Sequence, residues 1–211
     1  DKKEVNFLKQ QLAETKKEKV LSERQKSIDS IKENQKDIIF NMRTQLDKVY
    51  EFPEGTMIEV TNKDGKKESV QREKLIEELN NSIEVIENKY SEILTAMEKE
   101  NEALKNKAAN ISKEEIVDLY KILNAGNLKK LAEKAVKNPN TLTESEQENL
   151  KRLRDTQDLI NMLTPQDFVK AGYDETKILD KFAEYKSAEK IINTGLNITS
   201  AVAGWSNPIG W

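Results

Sequence analysis

No glycine or proline occurs before Pro53, so nothing in the first 52 residues breaks a helix. Residues 3–51 therefore read as one long helix, roughly 70 Å at about 1.5 Å per residue. Val5, Leu8, Leu12, Leu21, Ile28, Ile31, Ile39, Met42, Leu46 and Val49 fall mostly on one stripe, interrupted by polar positions at Lys16 to Lys19 and at Gln35.

Pro53 and Gly55 end that helix. Thr56 to Thr61 then alternates β-branched and polar residues, Asn62-Lys63-Asp64-Gly65 follows, and Lys66 to Gln71 completes the pattern of a β-hairpin over 56–71. A lone hairpin is marginal in water, so it should pack on the helices that it separates.

Residues 72–108 give the clearest periodicity. Ile76, Leu79, Ile83, Ile86, Tyr90, Ile93 and Met97 recur in steps of three and four, and Leu104 continues the seam. The hairpin reverses the chain, so the two long helices can pair antiparallel as a coiled coil. Ile76, Leu79, Ile83, Ile86, Ile93 and Met97 form a stripe that either closes on the first helix or receives a helix from a partner.

The second half is punctuated more often. Ser112 with Glu115 and Thr143 with Glu146 are capping-box spacings, Gly126 suits a helix C-terminus, and Thr164-Pro165 places proline at the first position of a helix. Asp174 opens a last long helix with Ile178, Phe182, Tyr185, Ala188 and Ile192 facing one way. The fold expected is all-α: an elongated bundle on two long antiparallel coiled-coil helices with a small β-hairpin between them, followed by shorter helices. Its expected divisions are a long helical hairpin at 1–111, a short-helix bundle at 112–194, and a tail at 195–211.

That tail changes character. Residues 191–211 hold no charge, although charged residues make up 35% of the chain. Its glycines and Pro208 make a poor transmembrane helix. Trp205 and Trp211, the only tryptophans, are candidate anchors for a membrane surface or a partner's groove, or caps on the bundle core.

Chemistry is hard to place here. The chain has no Cys and no His, which removes thiol nucleophiles, imidazole bases and Cys/His zinc sites. Its seven glycines are too scattered for a phosphate loop, and acidic pairs such as Glu77-Glu78 read as solvated helix faces. No catalytic residue, metal site or cofactor is expected, and the chain is read as not an enzyme. With 35 basic and 38 acidic residues the net charge is -3, which offers no field for nucleic acid.

Three features together carry a resemblance: the long charged helices at 3–51 and 72–108 with their short interruption, the stretch Asn138 to Leu150 in which Leu142-Thr143 opens a helix with Glu146 behind it, and the uncharged run at 195–211. In these the chain resembles the later part of the helical LXG-type targeting region of bacterial polymorphic toxins exported by the type VII (Esx) system. The resemblance implies a targeting and scaffold module of a secreted protein, made in the cytoplasm without a cleaved signal peptide. It also implies small helical, WXG100-like partners on the long helices and toxin activity beyond residue 211. Two other readings stay open from the residues: a membrane-active, pore-forming helical protein inserting 191–211, and a structural coiled coil such as a phage tail or surface stalk protein.

Overall fold

A computed structural model describes residues 1–195. Its elements run α1 (Lys2–Tyr50), β1 (Met57–Thr61), β2 (Lys67–Gln71), α2 (Arg72–Ala109), α3 (Lys113–Leu123), α4 (Leu128–Lys137), a 3-10 turn (Pro139–Thr141), α5 (Glu144–Met162), α6 (Pro165–Lys170) and α7 (Glu175–Gly195). The described chain is thus all-α apart from one antiparallel hairpin between the two long helices, with shorter helices after them.

The punctuation acts as its chemistry requires. Ser112 Oγ accepts the Glu115 amide at 3.1 Å. Thr143 and Glu146 satisfy each other's backbone amides, both at 3.1 Å, and so close a full capping box on α5. The Asp167 carboxylate accepts the Thr164 amide at 2.8 Å ahead of Pro165. Gly65, at φ +77°, completes the hairpin loop while Asn62 Oδ1 accepts the amides of Asp64 and Lys66.

The chain divides into two compact units, one of residues 1–27 with 100–195 and one of residues 28–99. The long helical hairpin expected at 1–111 is shared between the two units, and the tail expected at 195–211 lies, after Gly195, outside the described residues. Both long helices contribute one end to each unit, because Val20 and Ala108 pack into the same core as the short helices.

In the unit of residues 28–99, α1 and α2 run antiparallel. Lys32 pairs with Glu98 at 3.4 Å and Arg43 with Glu87 at 3.2 Å, so the residue numbers of facing partners rise on one helix as they fall on the other. Ile28, Val49, Ile83, Ile86, Tyr90 and Met97 are buried along this pairing. The hairpin pairs Ile58 with Val70, both half-buried. The Arg72 amide donates to Thr56 O at 2.8 Å and its guanidinium lies 5.5 Å from the Tyr50 ring centre, which fastens the strands to the ends of both helices.

In the other unit the core is built from Ile116, Leu119 and Leu123 of α3, Leu128 and Ala132 of α4, Leu153 and Ile160 of α5, and Ile178, Phe182, Tyr185 and Ile192 of α7. Phe168 of α6 packs edge-on to Phe182 at 5.4 Å between ring centres. The α1 segment lies on this core through Val20 and Leu21.

Candidate interaction surface

The stripe expected on α2 turns inward. Ile83, Ile86 and Met97 are buried, and Ile76, Leu79 and Ile93 are half-buried. The pairing of α1 with α2 covers Ile83, Ile86 and Met97, and Ile76, Leu79 and Ile93 keep part of their surface open. Trp205 and Trp211 lie outside the described residues.

The free apolar surface is elsewhere. At the start of α1, Val5, Leu8 and Leu12 are 47%, 62% and 54% exposed, and residues 1–12 are exposed throughout. Their steps of three and four put the three side chains on one face. The positions that the sequence placed mostly on one interrupted stripe therefore lie on two faces. Ala13, Lys16, Lys17, Val20, Leu21, Glu23, Arg24, Ser27 and Ile28 are the covered positions that follow. At 3.6 residues per turn their face lies roughly a third of a turn away from that of Val5, Leu8 and Leu12. The polar interruption at Lys16 to Lys19 marks the change.

Lys16 is the hinge of that change. Its Nζ donates to Leu163 O at the end of α5 and lies 5.1 Å from the centre of the Phe182 ring. Burial lowers its ammonium to about 8, the nearby Lys186 pushes the same way, and Asp167 and Glu189 oppose them. Two turns on, Arg24 holds Asp158 in an ion pair and also bonds Asn101, with both pair members mostly buried. These two cations fix α1 to α5.

A buried polar network ties α5 to α7. Tyr185 Oη lies 2.8 Å from Glu189 Oε2 and 2.9 Å from Asn161 Oδ1, and Gln157 Nε2 donates to Glu189 Oε2 at 3.0 Å. Burial first, and then the Glu189 charge, pushes the Tyr185 hydroxyl well above its ordinary range, which keeps it protonated as a donor. The sequence carried no signal for this network beyond the apolar spacing of Tyr185.

Between α3 and α5 lies an open cleft of about 430 Å³ lined by Asp118, Lys121, Ile122, Ala125, Asn149 and Arg152. Its lining brings together charges of both signs but no nucleophile beside a base. Among the described residues no group of carboxylates is placed to hold a metal ion, and no helix is long and apolar enough to cross a membrane.

Compared with known protein families, curated proteins and solved structures, the chain matches none. The functional reading rests on geometry: among the described residues, Val5, Leu8 and Leu12 share an exposed face at helical spacing, while Phe7 and Phe40 of α1 are exposed singly. A second exposed apolar group, Tyr50, Phe52 and Met57, sits at the hairpin end of the 28–99 unit. There the side chains flank Arg72 and the turn rather than forming a stripe at helical spacing.

Proposed function

We propose that the chain is a non-catalytic helical interaction module that holds the first turns of α1 ready for another helix. The single observation that carries this reading is the exposed face of Val5, Leu8 and Leu12 on a segment of α1, residues 1–12, whose side chains are all exposed. A preformed helix spares a partner the cost of nucleating it, and apolar residues at three-and-four spacing are the anchors that helix-on-helix recognition uses.

The resemblance to LXG-type regions supports a more specific form. In it the module belongs to a secreted bacterial toxin and pairs with small helical, WXG100-like proteins for type VII export. The test is co-purification of the chain with small helical proteins encoded beside its gene, with and without Leu8→Asp and Leu12→Asp. The expected result is a complex that the double variant loses while its melting temperature stays unchanged. A complex that survives both substitutions, or no complex with any such protein, overturns the reading.

A further inference from the structure

We propose that the first turns of α1 pair in parallel with the same segment of a second copy of this chain. The inference rests on reading that segment as a helix-binding surface and names its occupant. Its ground is the charge that borders the apolar face. With Val5, Leu8 and Leu12 at the a, d and a positions of a heptad, Glu4 falls at g and Lys9 at e. In a parallel pair each g residue meets the e residue five positions on in the partner, so Glu4 faces Lys9 twice, once in each direction. An antiparallel pair that stacks Leu8 on Leu12 instead sets Lys9 against Lys9 and Glu4 against the exposed Glu18. Both contacts are repulsive. The β-branched residue at a with leucine at d also suits two parallel strands.

The geometry sets the extent of the pairing. Residues 1–12 are exposed, and Lys16 is already engaged with Leu163 O, so the free segment ends before the second e-position lysine. Residues 1–12 supply three apolar layers, and three layers by themselves make a weak, reversible contact.

The test is sedimentation equilibrium of the full chain from about 10 μM to about 1 mM, the range in which a small interface associates. The expected result is a mass that rises from the monomer toward twice that value, and a Leu8→Asp chain that stays monomeric with an unchanged circular-dichroism melt. Glu4→Lys and Lys9→Glu should each weaken association roughly tenfold, and an equal mixture of the two variants should restore it, because each then meets its opposite charge. A wild-type chain monomeric throughout overturns the proposal, and so does a mixture no tighter than either variant alone. Association strengthened by Glu4→Lys overturns it in favour of the antiparallel arrangement, in which the substituted side chain faces Glu18. A monomeric chain that still loses a helical partner on Leu8→Asp refutes self-pairing alone; loss of both behaviours removes the helix-binding reading as well.

Discussion

Lys16 donates its Nζ hydrogen bond to the carbonyl oxygen of Leu163, the residue that ends α5. A cation at a helix C-terminus meets the negative end of the helix dipole. It nevertheless loses more from desolvation than it gains, and the ammonium is lowered to about 8.

The sign of the pH dependence follows. The unfolded lysine holds its proton to a pKa near 10.5, whereas the folded one releases it near 8, so between these values the unfolded state binds more protons. Stability should therefore rise as pH goes from 8 toward 10. Full conversion of the shift gives about 3 kcal/mol, and the side chain's partial access to water brings the expectation to about 1–2 kcal/mol. Above pH 10 the trend reverses, because Tyr185 stays protonated in the fold while an unfolded tyrosine ionises. Urea denaturation at pH 7, 8, 9 and 10 reads the rise, and Lys16→Met should flatten it. A wild-type slope that survives the substitution assigns the effect to another group.

Arg24 and Asp158 form the second fastening, with each side chain 11% exposed. Arg24→Met removes the Arg24 cation from the buried carboxylate and should cost about 3 kcal/mol, whereas Arg24→Met with Asp158→Leu should recover most of that loss. Denaturant midpoints of the two single variants and the double variant close the cycle. Equal losses in the Arg24 single and the double variant would show that the pair is not the interaction being measured.

Tyr185→Phe removes one hydroxyl from a filled network. Glu189 and Asn161 then lose a buried donor, and the expected loss is about 1–3 kcal/mol in chemical denaturation. A value near zero would mean that water reaches the site.

In the other unit, Ile86→Asp places a carboxylate in the α1–α2 seam and should cost about 3 kcal/mol or more from lost burial and desolvation. A thermal melt equal to wild type would show that Ile86 faces solvent, and it would then return as a partner-binding residue.

Local signals carried far in this chain. Pro53 and Gly55, Asp64-Gly65, Ser112 with Glu115, Thr143 with Glu146 and Thr164-Pro165 mark element ends because each acts through its own backbone or a neighbour three residues away. The α2 stripe was equally legible as periodicity, but not its occupant, since an a/d seam reads the same whether α1 or another protein covers it. Lys16 and Arg24 gave no sign of burial. They look like ordinary surface cations, and only residues far along the chain, 76 to 147 positions away, make them interior. For the same reason the break between the exposed and covered faces of α1 was invisible, as periodicity records spacing and not which neighbour arrives.

Because α1 is fastened to residues more than 130 positions further on, it is made early and finished late. Lys16 leaves the ribosome 147 residues ahead of Leu163. At synthesis rates of about 5–20 residues per second, that is a wait of about 7–30 s. Residues 28–99, whose partners lie within one another, can close during that interval. Residues 1–27 cannot, and for those seconds their apolar positions on both faces stand open.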